Sequence, residues 1–306
     1  MTPNDAFSAI GERLFPGARL RAARRLTGGV SAEVHALELE TRGGHHRTVV
    51  VRQHLSGEWK SRRERGAETE YGLLRAVLAA GVPVPEPLLL DTSLRLLPRP
   101  FVAMSFIEGT TDVPADRLDA ALDIMAAALA RVHGVPADGL PDLPLRVNPL
   151  PELFDYLLET PDTRPLREHL GACTDSAYTG APVLLHGDFW PGNLLWRNGQ
   201  LAAILDWEDS ALGDPLSDVA SCRLELFWKH GPTAMHRFTR GYARERAVDA
   251  RRLALWEVYV ATAGAHFMGA WGLAPEREAE MRSKADAFVR RAAGVLLAPG
   301  QDSGMS

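Results

Sequence analysis

The chain has 306 residues, and its composition, 46% hydrophobic and 24% charged, is that of an ordinary globular protein long enough for two domains or lobes. The net charge of −5 shows no basic excess, so neither a nucleic-acid nor a membrane partner is expected. No apolar stretch reaches membrane-spanning length, and residues 1–17 lack the apolar segment of a signal peptide. The only two cysteines, Cys173 and Cys222, are too far apart in sequence to match a metal-binding motif. We expect both to be reduced thiols in the core. We therefore expect a cytoplasmic protein.

The first third of the chain predicts a sheet with two helices. In chain order, the pattern predicts a helix over 4–15, strands over 21–54, a helix over 60–80 and short strands near 87–91 and 100–107. Residues 48–52 form the clearest strand because most of them are β-branched. Gly81 and the prolines after it end the second helix.

From about residue 115 the pattern becomes helical. Helices are predicted over 116–133, 151–158, 216–228, 232–246, 250–270 and 276–297. One small β segment, 183–206, interrupts them. The sequence thus predicts an α+β fold with a small β-rich N-lobe over 1–107, a larger helical C-lobe over 108–299 and a disordered tail over 300–306.

A tight hairpin lies within the small β segment. Asn198-Gly199 is the strongest short hairpin signal, and a two-residue turn places Arg197 opposite Gln200. Counting back from that pair places Asn193 opposite Ile204. Since side chains alternate along a strand, Asp206 is expected on the same face as Ile204, so that the oxygens of Asn193 and Asp206 share one cation.

The residues around this hairpin suit phosphoryl transfer. Two carboxylates and an amide oxygen, from Asp188, Asn193 and Asp206, are hard ligands of the kind Mg²⁺ prefers. An Asp followed by Asn at the spacing of Asp188 and Asn193, with a later metal-binding Asp, matches the logic of a kinase catalytic loop. The alternative is that these residues only cap loops and turns.

The combined motif resembles that of a known family. Residues 186–195 read HGDFWPGNLL, residues 204–208 read ILDWE and residues 213–218 read GDPLSD. This pattern resembles the aminoglycoside phosphotransferase and choline kinase superfamily. The resemblance implies a protein-kinase-like two-lobed fold that binds ATP or GTP together with Mg²⁺.

The resemblance also implies roles for individual residues. Asp188 would be catalytic, orienting or deprotonating the acceptor hydroxyl, while Asn193 and Asp206 would bind the metal. The cofactor-binding residues would be Gly28, Gly29, Ser31, Arg52, Glu70, Ser105 and Ile107. Of these, the glycine-containing loop would cover the phosphates, Arg52 would contact them and pair with Glu70, and Ser105 with Ile107 would contact the adenine.

Arg52 departs from the family pattern, in which this position is usually lysine. Arginine is still cationic and can reach two phosphate oxygens at once, so we expect an active enzyme. His186 is expected to support the catalytic loop and not to act as a base.

Other acidic residues follow Asp206. Glu208 and Asp209 would contact a second metal or an amino substrate, or else remain solvated in a turn. Asp214 before Pro215 predicts a helix N-cap. Asp218, on the same helix, is expected either to brace the catalytic loop or to have no part in it. Residues 198–222 contain five acids and no Lys or Arg, so a cationic acceptor would be attracted there. Once a metal takes its share of this charge the surplus is modest, so cationic and neutral acceptors both stay open.

We therefore predict a nucleotide- and Mg²⁺-dependent phosphotransferase that acts on a hydroxyl of a small molecule, either an antibiotic or a metabolite such as choline or a sugar. A nucleotide-binding pseudokinase is the alternative, to which Arg52 alone gives support. A protein kinase is disfavoured because the chain runs from Asp206 straight into Gly-Asp-Pro and a helix, which leaves no room for a long activation segment.

Overall fold

The computed structural model describes residues 2–26, 32–54, 66–173 and 176–298. The helices are α1 Pro3–Leu14, α2 Ala67–Ala79, α3 Leu118–Val132, α4 Leu150–Tyr156, α5 Arg164–Gly171, α6 Leu216–Tyr242, α7 Ala250–Phe267 and α8 Pro275–Leu297. The strands are β1 Arg19–Leu26, β2 Ala32–Glu40, β3 His46–His54, β4 Pro87–Asp91, β5 Phe101–Ser105, β6 Leu145–Arg146, β7 Val183–Leu185, β8 Leu194–Arg197, β9 Gln200–Ile204 and β10 Ala211–Gly213. The α+β class is confirmed. Gly28, Gly29, Ser31 and the predicted tail over 300–306 lie outside the described residues.

The residues form two compact units, and each unit is assembled from separate parts of the chain. The first comprises Met1–Asp112, Val135–Leu143 and Asn193–Asp209, and the second comprises Val113–Gly134, Pro144–Gly192 and Ser210–Ser306. The lobes predicted over 1–107 and 108–299 are continuous, whereas these units are not. The difference arises because the β8–β9 hairpin bonds to the first unit: Ile204 N–H donates to the Pro83 carbonyl at 2.8 Å, and Thr110 bridges to Trp196.

The first unit is built on an antiparallel sheet in the order β1-β2-β3-β5-β4. Helix α1 begins with a capping box, in which Thr2 and Asp5 each bond to the other's backbone N–H. Its apolar side chains recur at helical spacing and are buried with residues of the sheet. This core contains Ala6, Phe7, Ile10, Leu37, Leu39, Val49, Val51, Leu97, Phe101 and Ala103.

The second unit is mainly helical. One core cluster joins leucines of α4 and α5 to apolar residues of α7 and α8. A small three-stranded sheet has the order β6-β10-β7, with β10 parallel to β6 and antiparallel to β7. Strand β7 leads into the segment that contains Asp188, and β10 leads into α6, so this sheet positions both.

Helix α6 contains the break that the sequence predicted between 216–228 and 232–246. Gly231 has φ 78° and ψ −175°, which is not helical, and Pro232 follows it. Glycine adopts a positive φ without steric cost, and proline has no N–H for the helical ladder. The two predicted helices therefore abut at a kink.

The two cysteines differ in environment. Cys222 is buried on α6, as predicted, whereas Cys173 is exposed beyond the end of α5, so the prediction of a core thiol was wrong for Cys173. None of the helices found in the described ranges combines the length and apolar character needed to span a lipid bilayer.

Gly213 provides a test of the small sheet. A Cβ atom at Gly213 would lie 2.0 Å from the carbonyl oxygen of Arg146, its neighbour across β6 and β10. We expect Gly213→Ala to lower the free energy of unfolding by about 2–3 kcal/mol, measured by urea denaturation, because backbone must move.

The matched control is Gly294→Ala in α8, where no atom lies within 4 Å of the added methyl group. Alanine is the better helix former, so this variant should be more stable by about 0.5–1 kcal/mol. A Gly213→Ala protein as stable as wild type would contradict the close approach of the two strands.

Candidate active site

The β8–β9 hairpin turns at Asn198-Gly199, as predicted, and Arg197 pairs with Gln200. The predicted pairing of Asn193 with Ile204 was wrong. A bulge shifts the register between Leu195 and Trp196, so that Leu194 is opposite Ile204. Leu205 N–H instead donates to the carbonyl oxygen of Asn193 at 2.8 Å.

Because of this shift, Asp206 follows directly on the residue paired with Asn193. The alternation argument therefore fails, since it assumed regular strand up to Asp206. Asp206 has φ 61°, in the left-handed region that non-glycine residues rarely adopt. Trp207 is buried, and its indole N–H donates to the Ile204 carbonyl at 3.1 Å, which fixes the turn behind Asp206.

Arg52 of β3 binds three carboxylates within the first unit. Its Nη1 donates to Glu70 of α2 at 3.0 Å, and its Nη2 donates to Asp206 at 3.2 Å and to Glu208 at 2.7 Å. His54 Nε2 lies 2.6 Å from the other oxygen of Glu70. The structure thus brings together Arg52, Glu70 and Asp206, and it adds Glu208 to them.

Electrostatics keeps this cluster ionised. Burial by itself would raise the pKa of Glu70, but the charge of Arg52 and the hydrogen bond with His54 hold that pKa below its usual range. Burial would lower the pKa of Arg52, but the charges of Glu70, Asp206 and Glu208 raise it above its ordinary value.

Within the second unit, the residues just before Asp188 are anchored on a buried carboxylate. Asp218 of α6 accepts hydrogen bonds from His186 N–H at 2.7 Å and from Gly187 N–H at 2.9 Å. Asp188 N–H donates to His186 Nδ1 at 3.2 Å. His186 is fully buried and uses this nitrogen as an acceptor, which is the supporting role predicted for it. Asp218 thus braces the segment just before Asp188.

A second layer holds Asp218. His133 Nε2 lies 3.2 Å from its carboxylate, and His133 Nδ1 lies 2.7 Å from the Tyr242 hydroxyl. Burial would raise the pKa of Asp218, but the hydrogen bond from His133 keeps it below its usual range. Burial lowers the pKa of His133 more than Asp218 raises it. An ionised Asp218 and a neutral His133 require that Nε2–H donates and that Nδ1 accepts from Tyr242.

Asp214 has a structural role at the start of α6, although the N-cap residue is Pro215, one residue later than predicted. It accepts hydrogen bonds from Leu216 N–H at 2.9 Å and from the Trp256 indole at 2.6 Å, and it forms an ion pair with Arg252. These contacts fix the helix on which Asp218 lies.

A further carboxylate, Glu225 of α6, is close enough to Asp188 to be affected by its charge. Burial, together with the charge of Asp188, raises the pKa of Glu225 to about 7. Glu225 therefore changes charge near neutral pH in the surroundings of Asp188.

The end of β5 presents backbone groups at the predicted adenine contacts. Ser105 N–H donates to the Glu86 carbonyl, and Glu86 N–H donates to the Ser105 hydroxyl, both at 2.9 Å. The Ile107 N–H has no hydrogen-bond partner among the described residues. The N–H of Ser105 is therefore occupied, whereas the N–H of Ile107 is available to a ligand.

The donors present fit Mg²⁺. The Asp206 side chain is 38% exposed and lies in a turn with a positive φ. Its neighbour Leu205 bonds to Asn193, which brings Asn193 near Asp206. One carboxylate and one amide oxygen leave positions for water and phosphate oxygens, as Mg²⁺ prefers. Across the ranges that the structure describes, no group of three or more His, Cys, Asp or Glu side chains could hold a metal without such partners.

Sequence reasoning missed several contacts. It assigned no role to His133, Arg146 or Glu225, because nothing in their local sequence shows that they approach the Asp188 segment. Arg146 Nη1 lies 3.4 Å from the Gly187 carbonyl. Glu208 was considered, but its contact with Arg52 was not foreseen.

Comparison with known proteins identifies the family of this chain. Residues 22–256 match the model of the phosphotransferase enzyme family, APH. Acyl-CoA dehydrogenase family member 11 of Gallus gallus is 29% identical over 190 residues, which are 55% of this chain and 24% of the relative. This chain thus spans about a quarter of the length of that relative.

Two solved structures have a similar fold. A Ralstonia eutropha protein provisionally assigned as an aminoglycoside phosphotransferase has a TM-score of 0.68 at 19% identity, covering 94% of this chain and 97% of that one. A thermostable mutant of aminoglycoside phosphotransferase APH(4)-Ia, in a ternary complex with AMP-PNP and hygromycin B, has a TM-score of 0.62 at 17% identity, covering 94% and 99%.

These similarities confirm the protein-kinase-like fold that the sequence motif implied. The family model spans most of the chain, from β1 to α7, and includes Arg52, the Asp188 segment and the β8–β9 hairpin. The protein therefore belongs to the phosphotransferase enzyme family.

Proposed function

We propose that the protein is a nucleotide- and Mg²⁺-dependent O-phosphotransferase that moves the γ-phosphoryl group of ATP or GTP to a hydroxyl of a small molecule. The observation that carries the proposal is the 2.8 Å hydrogen bond from Leu205 N–H to the Asn193 carbonyl. It holds the two proposed metal ligands, Asn193 and Asp206, at the base of one hairpin. Asp188 precedes Asn193 in the same segment at the spacing of a kinase catalytic loop.

Asp188 orients the acceptor hydroxyl and accepts its proton as the oxygen attacks the γ-phosphorus and the bond to the bridging oxygen breaks. Asn193 and Asp206 would hold Mg²⁺, which would supply positive charge to neutralise the phosphate oxygens. Arg52 supplies a fixed positive charge for the nucleotide phosphates, and Glu70 holds it in place. Catalysis in this site is positioning and charge neutralisation.

The adenine is proposed to lie against the end of β5. The Ser105 carbonyl accepts from the adenine amino group, and the Ile107 N–H donates to a ring nitrogen. The lack of a partner for Ile107 N–H among the described residues supports this contact. The AMP-PNP complex of the APH(4)-Ia mutant favours ATP as the nucleotide. Gly28, Gly29 and Ser31 are proposed to cover the phosphates.

The proposed acceptor is a cationic small molecule. The half-buried carboxylate of Glu225 feels the charge of Asp188 and provides an anionic contact for an amine. Phe267 and Trp271 are 50% and 44% exposed, unlike the buried Trp256, so they provide apolar surface within the second unit. The hygromycin B complex of the APH(4)-Ia mutant supports an aminoglycoside.

A second class of acceptor is a hydroxyl-bearing acyl-CoA. The curated relative from Gallus gallus is about four times as long as the matching segment and is named for acyl-CoA dehydrogenation. Joining two activities in one chain favours a common metabolite, so a metabolic kinase of this kind is the alternative to an antibiotic kinase.

The proposed function is tested by following ADP release with aminoglycosides, macrolides, amino alcohols, sugars and hydroxyacyl-CoA thioesters as acceptors. We expect acceptor-dependent ADP release from one class, and we expect it to stop when EDTA exceeds Mg²⁺. Turnover that persists in excess chelator would rule out the metal-dependent mechanism. Nucleotide binding without turnover on any acceptor would support a pseudokinase instead.

Asp188→Ala should lower kcat by about 10²–10⁴-fold, because the general base contributes a factor of that size. The nucleotide Kd, measured by isothermal titration calorimetry, should stay within about twofold of wild type, since Asp188 acts on the acceptor. Asp123→Asn is the control, because it removes a carboxylate of the second unit that bonds to Arg237. Wild-type turnover by Asp188→Ala would contradict the assigned role.

Asp218→Asn tests whether the anchored loop positions Asp188. An amide can accept only one of the two backbone hydrogen bonds, so the loop should shift, and a misplacement of about 1 Å can cost about 10²-fold in kcat. We expect kcat to fall 10–100-fold at temperatures where the variant is folded, with the nucleotide KM unchanged. An unchanged kcat in folded Asp218→Asn, or an equal fall in Asp123→Asn, would show that the anchor has no positioning role.

A further inference from the structure

One nitrogen of Arg52 has two carboxylate acceptors from the same short segment. Arg52 Nη2 lies 2.7 Å from Glu208 Oε2 and 3.2 Å from Asp206 Oδ1. The guanidinium is largely buried, with 12% of the side chain exposed, whereas the two carboxylates are 37% and 38% exposed. Asp206 and Glu208 therefore compete for one donor at the edge of the solvent.

The distances show which carboxylate holds the guanidinium. A charge-assisted hydrogen bond of 2.7 Å is at the strong end of the range, and one of 3.2 Å is weak. Glu208 is therefore the principal partner of Nη2, while Nη1 is held by Glu70 at 3.0 Å. Asp206 is left with a long contact to Arg52.

The backbone around Trp207 makes this competition possible. Two residues separated by one other point to the same side in a regular strand, but Asp206 has φ 61° and is not in a strand. The buried Trp207, bonded to the Ile204 carbonyl, fixes the turn between the two carboxylates. Both side chains consequently reach the same side of Arg52.

We propose that Glu208 is a positioning residue that holds Arg52 and so keeps the Asp206 carboxylate from closing on the guanidinium. This inference rests on the proposed function, in which Asp206 is a metal ligand. If Glu208 were neutral, Asp206 would be the nearest remaining anion for Nη2. When a carboxylate forms a short ion pair with arginine, the arginine neutralises its charge and occupies oxygen positions that a divalent cation would use.

The identity of residue 52 provides a second test of the proposal. Arginine presents a fork of donors that can bind two carboxylates, whereas lysine is a compact point charge on a flexible stem. With lysine at this position, Asp206 would no longer face a fork already fixed by Glu70. The requirement for Glu208 should therefore depend on Arg52.

The experiment measures Mn²⁺ binding by electron paramagnetic resonance in the presence of saturating AMP-PNP, a non-hydrolysable ATP analogue. In Glu208→Gln the Kd for Mn²⁺ is expected to rise about tenfold, since loss of a partner that orients a metal ligand typically costs 10–100-fold in metal affinity. Asp112→Asn, which removes the same charge from an exposed residue of the first unit, should change the Kd less than about twofold.

The rescue variant is Arg52→Lys in the Glu208→Gln background. It is expected to recover most of the lost Mn²⁺ affinity, relative to Arg52→Lys alone, although it restores no carboxylate. A thermal unfolding curve of each variant without metal or nucleotide checks that all are folded.

The inference is overturned if Glu208→Gln binds Mn²⁺ as wild type does, if Asp112→Asn loses as much affinity, or if Arg52→Lys gives no recovery. Failure of the proposed function looks different: adding the wild-type protein would then leave the spectrum of Mn²⁺ with AMP-PNP in solution unchanged.

Discussion

The position of the predicted catalytic loop depends on one buried carboxylate, that of Asp218. Backbone N–H groups of His186 and Gly187 need partners, because both lie at the buried end of β7. A single carboxylate satisfies both and also faces a neutral His133. A helix side chain thereby fixes a segment that has no regular hydrogen-bonding ladder of its own, and Asp188 follows directly after it.

In the first unit, by contrast, the candidate site is a cluster of charged side chains. Arg52 is buried enough that it must be paired, and Glu70, Asp206 and Glu208 provide three partners for one cation. The surplus of negative charge suits a site that takes a divalent cation with a nucleotide. Arginine in place of the family's usual lysine is compatible with this cluster because its fork reaches carboxylates from two different elements.

Family membership and acceptor identity rest on different features. Arg52, Asn193 and Asp206, which are expected to contact the nucleotide and metal, lie on β3 and at the two ends of the β8–β9 hairpin, within the part of the chain that matches the family model. The residues proposed to meet the acceptor, such as Glu225, Phe267 and Trp271, lie on helices, and the last two fall beyond the matched range. The family match therefore covers the residues proposed for phosphoryl transfer, whereas two of the three residues proposed to contact the acceptor lie outside it.

The sequence by itself determined the α+β class, the Asn198-Gly199 turn, the break at Gly231-Pro232 and the segments that carry Asp188 and Asp206, because these depend on local backbone preferences and on a contiguous motif. Only the tertiary structure decided the rest. The bulge that pairs Asn193 with Leu205 depends on how the hairpin packs, and the partners of Arg52 and Asp218 are up to 156 residues away in the chain. Local patterns have no information about contacts at that separation. The contacts of Glu208 with Arg52 and of His133 with Asp218 are therefore visible only in the folded structure.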